Sequence, residues 1–347
     1  MSGWLVLTAV LLTPVTGWLA VTLHELGHWA GAMLVRFRTL IVVVWPLRIT
    51  RQGERLQIGT VWNLSFIGGM VACMPTDTRH LRRRMAVLTA GGPLTSLVTG
   101  SVAVLAAAVW RGAAPAGWPG QLGLILLSLF GVVSLLVGLS SLWPRETAGY
   151  RSDGARLRAL AGGGAGVDQE FAAMTLSALS LTGARPREWN ADLVLRAART
   201  GDDPLLALAG QHLAWAWHLD HERLDDARVA LDRVLEGVDR LPAEISSSML
   251  LDAAWFRAWH DHDPAGAREL LGMATSTLLT SAHEKPLAEA TIAFREGDHA
   301  TARARLDDAE RLLPKALDRG QALVAVERIA VMREEARREK QAARKEG

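Results

Sequence analysis

The chain has 347 residues, half of them apolar, and a formal net charge of +2. This length suits about two domains, and so small a net charge argues against nucleic acid as a partner. The single cysteine, Cys73, excludes an internal disulfide and a zinc cluster built from cysteines.

Three long stretches carry no charged side chain: residues 1–23, 85–110 and 112–144. Each is long enough to cross a bilayer as a helix, because a span takes about 20 mostly apolar residues. The first stretch could instead be a signal peptide, but it begins without positive charge and its apolar run is longer than usual. We therefore predict an integral membrane protein with about three spans, the first of them retained.

The sequence between the first two spans predicts a β-hairpin. Residues 36–58 are rich in β-branched side chains and place a polar turn, RQGE at 51–54, between two extended runs. Residues 59–76 are apolar and contain glycine without a clear period. We expect this segment to lie in or against the membrane and assign it no shape.

Arginines predict the orientation. They cluster between the first two spans and again after the third, whereas the loop between the second and third spans holds only Arg111. Because lysine and arginine favour the cytoplasmic side, we expect the N-terminus outside a bacterial cell membrane. The C-terminal end of the first span, after residue 23, would then lie near the cytoplasmic face, with the C-terminal half of the chain in the cytoplasm.

A glycine-rich linker at 160–166 leads into a charged sequence rich in alanine and leucine. Segments near 224, 263 and 298 each combine a short turn with an amphipathic alanine–arginine helix. Their spacing, about 35 to 40 residues, resembles that of tetratricopeptide repeats. We predict an all-α, TPR-like array, with an ordinary helical bundle as the alternative.

The fold class expected from these features is mainly α, with a polytopic membrane domain and a β-hairpin before the array. The expected domains are a membrane domain at 1–159, the linker at 160–166, the TPR-like domain at 167–332 and a charged tail at 333–347.

The motif HELGH occupies residues 24–28, inside the first span. His24 and His28 are four residues apart, so a helix places both imidazoles on one face at the spacing used for zinc. Glu25 would be the general base that accepts a proton from the zinc-activated water. Ionisable side chains are rare within a bilayer unless they are used, which favours this interpretation over incidental polar residues at a helix end.

A catalytic zinc site usually has a third protein ligand, and residues 29–53 contain no further histidine or glutamate. A distant acidic residue at the membrane face is needed instead. The segment at 140–157, at the end of the third span, offers acidic side chains at the cytoplasmic face, where the predicted topology also places HELGH.

The membrane half resembles the site-2 protease family of intramembrane zinc metalloproteases. The resemblance covers about residues 1–160 and rests on HELGH, AGGPLTS at 90–96, SLWP at 141–144 and SDGARL at 152–157. It implies that His24, His28 and Asp153, the last in a DG motif after a later span, bind one Zn²⁺ ion and that Glu25 is the catalytic base. We expect Gly154 to allow a tight turn that returns Asp153 to the membrane face. An Asp–Gly turn with a purely structural role is the alternative.

Two serines depart from the family's pattern. Ser96 and Ser141 stand where the family often has asparagine, and they are candidate contacts to the substrate backbone or the oxyanion. The loop between Pro144 and Asp153 is also longer than in the compact form of the motif. These differences bear on catalytic efficiency and substrate choice. A family member that binds zinc but does not cleave peptide bonds is a further alternative for this chain.

The resemblance implies hydrolysis of peptide bonds in or next to the transmembrane segments of single-span membrane proteins. The predicted hairpin could receive the unwound substrate strand at its edge or could be a structural element at the membrane surface. The array would bind a protein partner or a substrate tail. The rivals are a non-proteolytic membrane adaptor with a vestigial zinc site and a membrane-anchored protease that acts on soluble peptides.

Further histidines lie in the helical half. We interpret them as surface or interhelix polar residues, with a second metal site as the alternative; they are His218, His221, His260 and His262.

Overall fold

The computed structural model describes residues 3–346 except 53–54, 63–67, 78, 114–116, 148–149, 202, 242, 278–279 and 317. The chain divides into two compact units, and the boundary falls after Gly164, within the predicted linker. The first unit contains the long apolar helices and a small sheet, and the second is helical.

Three helices of the first unit are long and apolar enough to cross a membrane. They are α1 (Gly3–Leu34), α2 (Leu81–Gly112) and α3 (Gly117–Leu142). Large apolar side chains on all three face outward: Leu11 is 68%, Leu105 66% and Leu136 60% exposed. Such a surface suits lipid, in which a helix satisfies its own backbone groups. Three candidate spans are thus confirmed, and their orientation stays a prediction.

Glycines let these helices approach closely. A Cβ added at Gly27 on α1 would overlap the carbonyl oxygen of Gly91 on α2, and a Cβ added at Gly91 would overlap that of Gly27. Gly100 on α2 and Gly131 on α3 are opposed in the same way. Small residues at helix crossings allow this backbone contact, which places the HELGH segment of α1 directly against α2.

The segment between α1 and α2 forms a four-stranded sheet, so the predicted hairpin was too small. Its strands are β1 (Arg38–Val44), β2 (Leu47–Gln52), β3 (Arg55–Thr60) and β4 (Met70–Met74), in the order β3-β2-β1-β4. Strand β1 pairs antiparallel with both β2 and β4.

The hydrophobic side chains of β1 explain the additional strand. Ile41, Val42 and Val43 are consecutive and all buried, as expected of a strand inside a sheet rather than of one arm of an isolated hairpin. Strand β4 arises from the apolar stretch to which the sequence assigned no shape. Parts of that stretch (63–67) and of the predicted turn (53–54) lie outside the described residues.

Helix α4 (Asp153–Gly162) begins next to the end of α3. Two short paired strands, β5 (Glu146–Thr147) and β6 (Tyr150–Arg151), occupy the connection. Ser152 caps α4 by accepting a hydrogen bond from the amide of Ala155, and its hydroxyl donates to the carbonyl of Trp143 at 2.7 Å. One side chain therefore ties the start of α4 to the end of α3.

The second unit consists of helices that pack in consecutive pairs. Asp203, Asp263 and Asp298 cap three of them by accepting a hydrogen bond from the amide three residues later. The helices are α5 (Ala165–Thr182), α6 (Ala191–Ala197), α7 (Pro204–Asp220), α8 (Leu224–Leu235), α9 (Ala243–Trp259), α10 (Pro264–Met273), α11 (Glu284–Arg295), α12 (His299–Leu312) and α13 (Arg319–Glu346).

The three segments singled out in the sequence correspond to α8, α10 and α12. The predicted charged tail continues α13, which begins at Arg319. The core of the unit includes the fully buried side chains of Leu176, Trp215 and Phe256. The all-α character of this half is confirmed, and its TPR-like repetition stays a prediction.

Candidate metal centre

Two helices bring the three predicted ligands together. His24 and His28 lie one turn apart on α1, and Asp153 is the first residue of α4. The Nε2 atoms of the two histidines are 3.2 Å apart. Oδ2 of Asp153 is 3.2 Å from Nε2 of His24 and 3.5 Å from Nε2 of His28. Both imidazoles are buried, and the three residues form a group that could hold a metal ion.

The other ring nitrogens are held from α2. Nδ1 of His28 is 3.0 Å from the carbonyl oxygen of Leu88. Because a carbonyl oxygen only accepts, Nδ1 of His28 carries the proton and a neutral ring presents the Nε2 lone pair. Nδ1 of His24 is 3.0 Å from the hydroxyl of Ser96, which is wholly buried. Partners of this kind fix ring orientation and tautomer in metal sites.

The donor set and its spacing fit zinc. Zinc binds imidazole nitrogen and carboxylate oxygen at about 2.0–2.2 Å in tetrahedral geometry, which sets neighbouring ligand atoms about 3.3–3.5 Å apart. The observed separations of 3.2 to 3.5 Å match this spacing. Without a cation or protons, the Nε2 lone pair of His28 and the Asp153 carboxylate would face each other unpaired. Three protein ligands also leave a fourth position for water.

Gly154 lies in the first turn of α4, so the expected tight turn at Asp153–Gly154 was wrong. Glycine is needed there for close packing: an added Cβ would overlap the carbonyl group of Leu142 and lie 2.9 Å from its Cα. The absence of a side chain lets α4 start against the end of α3. This contact, together with the Ser152 cap, positions Asp153.

Two other glycines touch the site. A Cβ added at Gly92 on α2 would overlap the imidazole of His28. Gly69, which has a φ of 77° just before β4, contacts the side chain of Glu25, and a Cβ there would lie 3.3 Å from Oε1. Close packing from α2 and from the residue before β4 therefore confines both a candidate ligand and the candidate base.

Glu25 follows His24 on α1 and interacts electrostatically with His24, His28 and Asp153. Its role as the general base stays a prediction. The sequence placed Glu25 beside the two histidines, and the fold adds Asp153 as a third neighbour.

The two candidate substrate-contacting serines differ in their surroundings. Ser96 contacts His24. The hydroxyl of Ser141 donates to the carbonyl of Gly138 in the last turns of α3, at 3.0 Å. Both hydroxyls have partners inside the protein, and contact of either with a substrate stays a prediction.

The remaining predicted histidines have local neighbours in the helical unit. His221 Nδ1 is 2.9 Å from the Trp217 carbonyl oxygen, and His260 packs on the Phe256 ring. Across the described residues, the group of His24, His28 and Asp153 is the one cluster of three or more ligand-type side chains with metal-binding spacing.

Sequence reasoning missed three contributors to the site. The Leu88 carbonyl carries no side-chain signal and could not have been found. Gly92 belongs to the quoted AGGPLTS segment, where a glycine pair inside a span is a signal for close helix packing. Gly69 lies in a stretch without a clear period, so its contact with Glu25 depends on the fold.

No family model, curated protein or solved structure matches this chain. The chemistry of the candidate site is therefore argued from its residues and geometry.

Proposed function

We propose that the protein is an intramembrane zinc metalloprotease of the site-2 protease type. The observation that carries the proposal is the convergence of His24, His28 and Asp153, since two of them lie on a helix long and apolar enough to span a membrane. Ionisable groups in such a helix are costly and are usually functional.

In this proposal His24, His28 and Asp153 hold one zinc ion through Nε2, Nε2 and a carboxylate oxygen. A zinc ion bound there supplies Lewis acidity, which lowers the pKa of a bound water toward 7 and polarises the scissile carbonyl. Leu88 and Ser96 orient the two imidazoles. Their hydrogen bonds keep both Nε2 atoms directed at the ion.

Glu25 performs the proton transfers. Its carboxylate accepts a proton from the attacking water and delivers it to the amine of the leaving peptide. The packing of Gly69 against Glu25 limits the positions open to this carboxylate, which favours a defined geometry for both transfers.

The proposed substrates are single-span membrane proteins cut in or next to their transmembrane segment. A helical substrate must unwind first, because its carbonyl groups are engaged in hydrogen bonds with amides four residues on. Strand β4 lies at the edge of the sheet and follows Gly69, the residue against Glu25. An unwound strand added at this edge would run past the candidate base.

The helical unit is proposed as a cytoplasmic TPR-like array that binds a protein partner. Stacked helical pairs present extended surfaces suited to binding. The proposed topology, with the N-terminus outside, places this unit and the metal centre toward the cytoplasm.

The test compares wild type with Glu25→Gln, using a single-span reporter protein co-reconstituted in liposomes. We expect Glu25→Gln to retain one zinc per chain and to lose cleavage by about 100-fold or more, because general acid–base catalysis contributes about 10²–10⁴-fold. Unchanged cleavage by Glu25→Gln would overturn the mechanism.

Asp153→Ala tests the ligand set. We expect zinc content to fall, and full occupancy would show that another residue is the third ligand. If the protein binds zinc and still binds a protein partner but cleaves no single-span reporter, the result would support the membrane adaptor instead. Cleavage restricted to soluble peptides would support the membrane-anchored rival.

A further inference from the structure

The second unit contains a groove formed by α11, α12 and the C-terminal part of α13, referred to below as the arginine groove. Its volume is about 920 Å³, within the usual range for sites that enclose a ligand. The lining is apolar in the interior: Phe294, Ala302 and Leu306 are buried, at 3–5% exposure. Ala336 on α13 completes the apolar part.

Four arginines are among the residues that line the groove. Arg295, Arg303, Arg333 and Arg337 line it, against the single carboxylate of Glu339. Two of these guanidinium groups are already neutralised: Arg333 lies 2.6 Å from Asp307 and 2.7 Å from Glu310, and Arg295 lies 3.3 Å from Glu335.

The other two arginines remain open to a ligand. Arg303 is exposed and makes no ion pair within the part of the chain that the structure describes. Arg337 is 72% exposed, and its acidic neighbour on the same helix, Glu334, is 3.8 Å away. An exposed pair at that distance is worth little, so an incoming carboxylate could replace it. Two available guanidinium groups therefore stand beside an apolar interior.

We propose that the arginine groove binds an acidic peptide segment of a protein partner. Its carboxylates would pair with Arg303 and Arg337, since guanidinium binds carboxylate bidentately. One or two apolar side chains of the peptide would pack over the floor of the groove, where Phe294, Ala302 and Leu306 lie. A desolvated apolar anchor beside arginines is the usual composition of a binding hot spot. This proposal does not depend on the proteolytic activity.

The shape of the groove favours a peptide over an anionic membrane surface. Arginines on a convex face would suit flat lipid head groups, but the apolar interior here is concave and its side chains are buried. A peptide chain can enter such a depression, whereas a bilayer surface reaches only the rim. Binding to anionic lipid is therefore the competing outcome of the test.

The test uses the full-length protein in phosphatidylcholine nanodiscs and a short dye-labelled peptide in which glutamates flank one leucine and one phenylalanine. Fluorescence anisotropy should show saturable binding. The double variant Arg303→Glu/Arg337→Glu should weaken binding about tenfold or more, because it replaces two attractions by two repulsions. Added salt should also weaken binding, as expected for exposed charges.

Matched controls separate the groove from general surface charge. Arg233→Glu on α8 reverses another exposed arginine, on a helix that does not line the groove, and should bind the peptide as wild type does. A peptide with serine in place of leucine and phenylalanine should bind more weakly, and one with lysine in place of glutamate should not bind. Circular dichroism must show the same melting transition for all variants; if the double variant melts early, Arg303→Glu alone carries the comparison.

Several outcomes would overturn the proposal. They are absence of saturable binding, equal affinities of the double variant and Arg233→Glu, and equal binding of the serine peptide. Phosphatidylserine vesicles that displace the peptide, through the same two arginines, would assign the groove to a membrane surface instead.

Discussion

Replacing Gly154 by alanine should displace Asp153 from the candidate metal centre. The added Cβ would lie 2.9 Å from the Cα of Leu142 and would overlap its carbonyl group. Carbon atoms in contact are normally about 3.5–4.0 Å apart, so α4 must move by on the order of 1 Å. A misplacement of this size in a catalytic centre can lower activity about 100-fold, and we expect a loss of this order for Gly154→Ala.

The assay measures zinc affinity by competition with a chelator and cleavage of the single-span reporter. Gly162→Ala is the matched control, since Gly162 is the last residue of the same helix and a Cβ there meets nothing within 4 Å. Alanine is also the better helix former, by about 1 kcal/mol. Gly162→Ala should therefore keep wild-type zinc affinity and activity.

Wild-type zinc affinity and cleavage in Gly154→Ala would refute this reasoning. They would mean that α4 adapts to the methyl group without moving Asp153, or that Asp153 is not a ligand. Zinc content of Asp153→Ala distinguishes these two explanations.

Three further predictions concern other contacts. Ser96→Ala should weaken zinc binding by about 10- to 100-fold, because it removes the hydrogen bond to His24. The control is Ser128→Ala, which should keep wild-type zinc affinity, since the Ser128 hydroxyl donates to the Leu124 carbonyl of its own helix. Equal zinc affinities of the two variants would contradict the positioning role of Ser96. Gly92→Ala should abolish zinc binding because its methyl group overlaps His28, whereas Gly112→Ala at the open end of α2 should leave the metal content unchanged. Burial, with Asp252 nearby, raises the pKa of Glu284 to about 8 from its ordinary 4.5. Between these two pH values the folded protein holds a proton that the unfolded chain releases. The free energy of unfolding should therefore fall as pH rises from 4.5 through 8. Glu284→Gln should remove this pH dependence of stability. The measurement is hydrogen exchange of the α11 amides as a function of pH in wild type and variant, and an identical pH dependence in both would show that Glu284 is not its source.

The local features of the site follow from the sequence. The four-residue spacing of His24 and His28 on a helix puts both rings on one face, whatever surrounds them. Uncharged stretches longer than a bilayer needs identify the candidate spans, and short turns followed by amphipathic helices identify α8, α10 and α12. Such periodic patterns depend on residues that are close in the sequence, so they can be recognised without knowledge of the fold.

Other expectations failed because they depend on packing between distant segments. The predicted hairpin became a four-stranded sheet, since the buried β1 takes β4 as a second partner. Gly154 was expected to form a turn, yet its role is a contact with Leu142. A glycine needed for close approach and one needed for a turn look the same in a sequence.

The sequence by itself determined the candidate ligands His24 and His28, the candidate base Glu25 and the apolar helix that carries all three. Only the tertiary structure decided that Asp153 meets the two histidines, that Ser96 and Leu88 hold their Nδ1 atoms, and that arginines from α11, α12 and α13 line one groove. Helical periodicity is a property of the local chain, whereas convergence depends on how far glycines let separate helices approach one another.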